Sequence, residues 1–151
     1  MTSSPSFVIL GATGGIGSDL CRRLAASGAR LILGGRDEGR LNALAEATGG
    51  HAHVLDATVP GAVDACFDRA LELHGRIDGA ANCIGSLLLK SAHLTTDADW
   101  DTTLATNLTT AFAAVRAGAK AIMTTGGSIV LVSSSAARPS RRRQRLCPLR
   151  E

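Results

Sequence analysis

Five short apolar runs, the first four of which are each followed by a turn and a longer segment of helical periodicity, constrain the fold of this chain most. The runs lie at residues 7–10, 30–33, 51–55, 77–84 and 128–133. The segments of helical periodicity lie at 16–27, 37–48, 63–74 and 99–124. Such alternation is typical of parallel strands joined by right-handed crossover helices that cover both faces of a sheet. We therefore predict a doubly wound α/β domain with five parallel strands in the order 3-2-1-4-5.

A glycine-rich turn joins the first predicted strand to the first predicted helix. In the sequence GATGGIG, Gly11 permits a sharp turn, Gly15 lets a diphosphate approach the backbone, and Gly17 lets the helix pack closely on the sheet. The N–H groups that begin the helix would bind the phosphates. A P-loop would need Lys-Ser/Thr after the last glycine, whereas Ser18-Asp19 follows here. The predicted dinucleotide-binding residues of this turn are Gly11, Thr13, Gly14, Gly15, Ile16 and Gly17.

Four further motifs follow the glycine turn. They are Asp56-Ala57 after the third strand, residues 82–85 (NCIG) at the end of the fourth, Asn107 in the long helical segment, and residues 126–134, which end at Ser134. In this order and spacing, the motifs resemble those of the short-chain dehydrogenase/reductase family over residues 6–137. Two positions depart from the family pattern. Leu10 stands where the family usually has Thr, and NCIG stands for Asn-Asn-Ala-Gly.

The resemblance implies a Rossmann-like domain and a role for each motif. Asp56 and Ala57 would contact the adenine, and Asn82, Ile84 and Gly85 would shape the cofactor site. Asn107 and Ser134 would be catalytic, holding a relay water and positioning the substrate oxygen. Plainer interpretations stay open: a helix cap for Asp56, backbone satisfaction for Asn82, a solvated helix residue for Asn107, and a polar strand end for Ser134. Ser133 and Ser135 are alternatives for the catalytic serine.

The end of the second strand predicts which nicotinamide cofactor binds. An NAD site usually places a carboxylate there for the ribose hydroxyls, whereas this chain has Gly34-Gly35 followed by Arg36. The glycines leave room for a 2′-phosphate, and a guanidinium can bind it with two hydrogen bonds. We therefore expect NADP rather than NAD, with Arg36 as a cofactor-binding residue. Asp37 could oppose this preference or cap the next helix, and Arg36 could be a solvated loop charge.

The resemblance also implies hydride transfer between the nicotinamide and a small carbonyl or alcohol substrate. In the family, a Tyr exchanges the proton and a Lys four residues later lowers the pKa of that Tyr. This sequence contains no tyrosine, and its lysines, Lys90 and Lys120, both precede Ser134. We therefore expect a truncated, inactive chain, in which the sheet and the family dimer interface are incomplete on the C-terminal side. A non-enzymatic NADP-binding or regulatory protein is the alternative.

The last residues differ in character from the rest of the chain. Residues 138–151 hold six arginines and one glutamate, so the net charge of +3 leaves the remaining residues slightly acidic. We predict an NAD(P)-binding domain at 1–137 and a disordered tail at 138–151, as a slip of reading frame would produce. A nucleic-acid-binding domain would carry its basic residues on the fold itself, which argues against nucleic acid as a partner. An anion or nucleic-acid contact made by the tail is the alternative.

Two further patterns argue against a metal site and a membrane partner. These are the spacing of the cysteines and histidines and the length of the apolar runs. The four cysteines form no Cys-x-x-Cys pair, and the four histidines have no acidic or Cys partner at ligand spacing, so no metal site is predicted. Scattered thiols are typical of a reducing cytoplasm, where we expect the protein. No run approaches the ~18 apolar residues that a membrane helix requires, so no membrane partner is expected.

Overall fold

The computed structural model describes residues 4–134, which form a five-stranded parallel sheet in the order β3-β2-β1-β4-β5. The strands are β1 (Ser6–Leu10), β2 (Arg30–Gly35), β3 (His51–Val54), β4 (Gly79–Asn82) and β5 (Ser128–Leu131). The helices are α1 (Gly15–Ala26), α2 (Glu38–Thr48), α3 (Ala62–His74), α4 (Asp97–Leu104) and α5 (Thr110–Ile122). A short 3₁₀ helix at Ala92–Leu94 precedes α4. The predicted Rossmann-like fold and strand order are confirmed.

The hydrophobic core lies on both faces of the sheet because successive side chains of a strand point to opposite sides. In β1, Val8 and Leu10 pack with Phe67 of α3, whereas Ile9 packs with Cys21 of α1. β1 and most of β2 are therefore buried on both faces, which explains their continuous apolar sequence. Helices α1 and α2 cover one face, and α3 and α5 cover the other.

The long helical segment predicted at 99–124 forms a helical rod that consists of α4, a π-helical turn and α5. Ala105–Thr109 separates α4 from α5 and contains Asn107. Two threonines of this stretch donate to helix carbonyls, Thr103 Oγ1 to that of Asp99 and Thr110 Oγ1 to that of Thr106. Such side-chain bonds compete with regular helical bonding. π-Turns are frequent at functional sites.

The fourth strand is shorter than the predicted 77–84. It ends at Asn82, whose side-chain Oδ1 accepts a hydrogen bond from the Ile84 N–H at 3.2 Å. The Cys83 N–H still donates to the Leu10 carbonyl at 2.9 Å, but neither Cys83 nor Ile84 belongs to the strand. The fifth strand is also shorter than predicted, ending at Leu131.

Several predictions concern residues that the structure does not describe. The domain boundary at residue 137, the tail at 138–151 and Ser135 lie outside residues 4–134 and stay predictions. Across the described part of the chain, every helix is too short or too polar to cross a lipid bilayer. The same residues contain no group of three or more side chains arranged to hold a metal ion.

Candidate cofactor-binding site

A cleft of about 770 Å³ opens at the carboxyl ends of the strands, beside the point where β1 lies between β2 and β4. The chain leaves β1 toward one side of the sheet and later returns on the other side, and the crevice that results is where doubly wound folds bind ligands. The predicted residues that line this cleft are Gly11, Thr13, Gly14, Arg36, Asp56, Ala57, Ile84 and Gly85. Gly15, Ile16, Gly17, Asn82, Asn107 and Ser134 do not form its walls.

Two glycines of the turn are required by the fold itself. Gly11 has a φ of +72°, and a Cβ atom there would lie 2.9 Å from the backbone carbon of Cys83. A Cβ atom on Gly17 would lie 2.3 Å from the carbonyl oxygen of Gly11. Both contacts are with backbone atoms, which cannot move aside cheaply. Gly11 and Gly17 therefore bring the turn, α1 and the end of β4 close together.

Gly15 differs from these two because the space that a side chain would occupy there is open in the described structure. A Cβ atom at this position would meet no atom within 4 Å, and the residue is exposed. Packing therefore does not explain a glycine here. A ligand that approaches the backbone closely would explain it, because any side chain would then stand in the way.

The N-terminus of α1 presents unbonded backbone donors at this turn. The Ser18 N–H donates to the Gly14 carbonyl at 2.8 Å, so the N–H groups of residues 15–17 precede the first bond of the helix. The Gly14 cap has no side chain to accept from them, and no acidic residue lies in the first turn. The helix dipole and these donors favour a bound anion.

The end of β2 forms a second wall of the cleft. Gly34 is packed tightly, since a Cβ atom there would lie 2.9 Å from Leu55 Cδ2 and 3.0 Å from Leu10 Cδ2. Gly35 has more room, and Arg36 lies exposed on the cleft. Asp37 caps α2 by accepting a hydrogen bond from the Arg40 N–H at 2.9 Å. Of the interpretations left open for Asp37, the helix cap is the one that the structure contains.

Asp56 caps a turn rather than a helix. Its Oδ1 accepts hydrogen bonds from the Thr58 N–H at 2.9 Å and the Thr58 hydroxyl at 2.7 Å. These bonds hold the pKa of the Asp56 carboxyl below its usual value, with a smaller contribution from the positive charge of Arg36. The next helix, α3, begins at Ala62. The carboxylate therefore stays ionised on the cleft wall, beside the buried Ala57.

Asn107 connects the π-turn to the loop that follows β4. Its Oδ1 accepts from the Ser86 N–H at 2.9 Å, and its Nδ2 donates to the Ser86 hydroxyl and to the Thr103 carbonyl. A Cβ atom on Gly85 would lie 3.4 Å from this Oδ1. The partly buried Asn107 amide is therefore bonded to other protein atoms. It supports the cleft from behind the wall formed by Gly85 and Ser86.

The two catalytic candidates are not brought together on the cleft wall. Ser134 follows β5 at the carboxyl edge of the sheet, where its residue is exposed, and Ser133 beside it is also exposed. β5 pairs with β4, with Leu131 opposite Asn82. Ser134 therefore lies at the same edge of the sheet as the cleft, separated from the glycine turn by β4.

Sequence reasoning missed several residues that line the cleft. Three hydroxyl-bearing side chains of the helical rod line the cleft: Thr102, Thr106 and Thr110. Ser86 and Arg40 also line it. The threonines are four residues apart, so they lie on one helix face, and this spacing was visible in the sequence. Arg40 and Ser86 depend on contacts between distant segments and gave no comparable pattern.

Cys83 brings a thiol to the cleft but not a nucleophile. Burial raises the pKa of the Cys83 thiol, and burial raises the pKa of the neighbouring Cys21 to about 12. A reactive cysteine needs a lowered pKa, because the thiolate is the attacking form. The structure therefore gives no support for covalent catalysis by either residue.

Comparisons with known proteins agree with this architecture. A family model described as enoyl-(acyl carrier protein) reductase matches residues 11–145. The chain is 34% identical over 135 residues to a 3beta-hydroxysteroid dehydrogenase of Mediterraneibacter gnavus, covering 85% of this chain and 49% of the relative. It is 36% identical over 130 residues to a galactitol 2-dehydrogenase (L-tagatose-forming) of Cereibacter sphaeroides, covering 83% and 51%.

The structural likeness points the same way. A short-chain dehydrogenase/reductase variant from Serratia marcescens superposes with a TM-score of 0.83 at 27% identity, covering 93% of this chain and 59% of that one. The chain spans about half the length of the curated relatives it matches. The order of its motifs, its sheet and these matches together place the chain in the short-chain dehydrogenase/reductase family of oxidoreductases.

Proposed function

We propose that this chain binds NADP(H) in the cleft at the carboxyl ends of its strands. The diphosphate would lie against the N-terminus of α1, the adenine near Asp56 and Ala57, and the nicotinamide toward Gly85. The observation that carries the proposal is the open Gly15, which has no packing reason to be a glycine and which lies beside unbonded helix donors. The fit is to a dinucleotide because the cleft continues from this turn to the end of β2.

The preference for NADP over NAD is supported by the charges at the end of β2. Asp37, the nearest carboxylate, is engaged as the cap of α2, and the residue at the end of the strand is Gly35. Arg36 and Arg40 both line the cleft there. A 2′-phosphate would meet the Arg36 guanidinium there, whereas Asp37 is held as the cap of α2, and this arrangement favours the phosphorylated cofactor.

The reaction proposed for the whole protein is hydride transfer between the nicotinamide and a small carbonyl or alcohol substrate. The relatives named above are dehydrogenases, which supports this reaction class. Bound NADP(H) supplies or accepts the hydride. In this chain, Ser134 would position the substrate oxygen and Asn107 would support the cleft and hold a relay water. The steroid and sugar-alcohol names of the relatives belong to those proteins and do not identify the substrate here.

A polypeptide of these 151 residues is proposed to bind the cofactor without turning it over. It contains no tyrosine, and a serine hydroxyl is a poor proton donor and acceptor at neutral pH. This absence also favours the second candidate, a non-enzymatic NADP-binding or regulatory protein. We further propose a cytoplasmic location, since Cys21, Cys66 and Cys83 are all free thiols in the described residues.

Calorimetric titration of the purified chain with NADPH and with NADH tests the proposed function. We expect saturable binding of NADPH and weaker binding of NADH. Carbonyl compounds added to the NADPH complex are expected to cause no loss of absorbance from the reduced nicotinamide. Failure to bind either dinucleotide would contradict the cofactor site, whereas turnover would contradict the proposed inactivity.

A further inference from the structure

Arg40 connects the two segments that form the phosphate end of the cleft. Its backbone N–H donates to Asp37 Oδ1 at 2.9 Å, which fixes the residue in the first turn of α2. Its side chain reaches back across the cleft, and Nη2 donates to the Thr13 carbonyl at 2.7 Å. One residue thus joins the loop after β2 to the glycine turn, which lies 27 positions earlier in the chain.

The part of the glycine turn that Arg40 contacts is otherwise held by short-range bonds, since the Gly14 N–H donates to the Gly11 carbonyl at 3.1 Å and the Ser18 N–H donates to the Gly14 carbonyl at 2.8 Å. Its first half is anchored to the sheet, because the Ala12 N–H donates to the Gly34 carbonyl at 3.0 Å and Ala12 is buried. Gly14 and Gly15 follow, and both are exposed. Glycine has the largest backbone freedom of any residue, so two adjacent exposed glycines tend to fluctuate. The bond to the Thr13 carbonyl lies immediately before them.

The guanidinium of Arg40 also lies between two hollows. One is the main cleft, and the other is a groove of about 260 Å³ between α1 and α2 that Ser18 and Arg22 help to line. Thr13 and Arg40 belong to both. Arg40 therefore separates the cleft from the groove. Arg22 also lines the groove, and among the described contacts it makes no hydrogen bond to the glycine turn.

We propose that Arg40 is a positioning residue for the cofactor diphosphate. It acts through the Thr13 carbonyl, holding the turn so that the N–H groups of residues 15–17 stay aimed at one point. A hydrogen bond from a charged donor to a carbonyl is stronger than one from a neutral donor. The inference rests on the proposed cofactor site, but it assigns Arg40 to the diphosphate turn rather than to direct contact with a 2′-phosphate.

Hydrogen exchange of the protein without any ligand tests whether Arg40 stabilises the glycine turn. Arg40→Met keeps the length of the side chain and removes its donors, and Arg22→Met removes an arginine from the neighbouring groove as a matched control. We expect the hydrogen-bonded amides of Gly14 and Ser18 to exchange about tenfold faster in Arg40→Met than in the wild type, with little change in Arg22→Met. Arg40→Lys, which keeps one donor, should restore part of the protection. Equal exchange in Arg40→Met and Arg22→Met would overturn the inference.

Ligand affinities separate positioning from direct phosphate contact. For Arg40→Met, we expect affinities for NADPH and NADH to fall by a similar factor of about ten, because both contain the diphosphate. The affinity for 2′-AMP, which has a 2′-phosphate but no diphosphate, should stay within about twofold. Loss confined to NADPH and 2′-AMP would overturn positioning in favour of direct contact. If the wild type binds no dinucleotide, the proposed function fails, while the exchange experiment still decides whether Arg40 braces the turn.

Discussion

The side chain of Asn107 binds Ser86 through both of its polar atoms. Oδ1 accepts from the Ser86 N–H at 2.9 Å, and Nδ2 donates to the Ser86 hydroxyl at 3.2 Å. A residue in the π-turn of the long helical rod thereby fixes the loop after β4. The family resemblance implied a catalytic role for Asn107, and its contacts within this chain give it a structural role as well.

Removal of this amide is expected to destabilise the domain. Asn107→Ala should lower the free energy of unfolding by about 1 kcal/mol, because three hydrogen bonds are lost but Ser86 can be partly resolvated. Asn42→Ala, at an exposed position on α2, is the matched control and should change stability by less than about 0.5 kcal/mol. Urea unfolding measures both. Equal effects of the two substitutions would show that the Ser86 contacts contribute nothing.

Two glycines of the turn should separate folding from binding. Gly17→Ala places a methyl group where a backbone oxygen already lies at 2.3 Å, so we expect a loss of about 3 kcal/mol or failure to fold. Gly15→Ala meets no atom within 4 Å and should leave the melting temperature unchanged or slightly raised. The same Gly15→Ala protein should bind NADPH at least about tenfold more weakly, because its methyl group would occupy the path of the diphosphate. Unaltered NADPH binding by Gly15→Ala would argue against this turn as the diphosphate site.

The end of β2 should determine the choice between NADP and NAD. At Gly35, a Cβ atom would lie 3.4 Å from Leu41 Cδ1 and 3.5 Å from Thr13 Oγ1, which are ordinary contact distances. Gly35→Asp should therefore fold, weaken NADPH binding by about tenfold or more through repulsion of the 2′-phosphate, and strengthen NADH binding. Gly35→Asn adds a side chain of nearly the same shape without the charge. A similar loss of NADPH binding in both variants would attribute the effect to size and not to charge.

Acid should weaken the start of α4 through Asp99. The Lys90 ammonium, followed by the N–H and hydroxyl of Thr96, holds the pKa of the Asp99 carboxyl at about 2, below its usual value of 3.8. Since the folded-state pKa is lowered, the stabilisation is complete above the unfolded value and is lost as pH falls from about 4 toward 2. Asp99→Asn should reduce this part of the pH dependence, as followed by thermal melts, whereas Asp97→Asn should leave it. An unchanged slope in Asp99→Asn would contradict the assignment.

The sheet and the glycine turn could be predicted because their causes are local. Buried parallel strands have continuous apolar sequences, and a Gly-x-x-x-Gly-x-Gly turn between a strand and a helix has few other structural uses. The tight contacts at Gly11 and Gly17 and the open position of Gly15 are those that the turn requires. The strand order followed from right-handed crossovers.

Other features depend on distant contacts and could not be read from the sequence. In the sequence, Arg40 has the pattern of an ordinary exposed helix residue. Its bond to the Thr13 carbonyl forms only because α2 lies beside the glycine turn in the fold. Asp56 precedes a segment that resembles a helix start, but its bonds to Thr58 form a turn before α3. The π-turn around Asn107 coincides with the Asn107–Ser86 contact, which joins segments 21 positions apart and has no signal in the sequence.

Backbone amide resonances measured during an NADPH titration would show where the cofactor binds. We expect the largest shifts at residues 14–17, where unbonded helix donors would meet the diphosphate, with further shifts at Arg36 and at the loop after β4. The amides of α3, on the far side of the sheet from this turn, should change little. Shifts that spare residues 14–17 at saturating NADPH, or no shifts at all, would contradict a cofactor site at the start of α1.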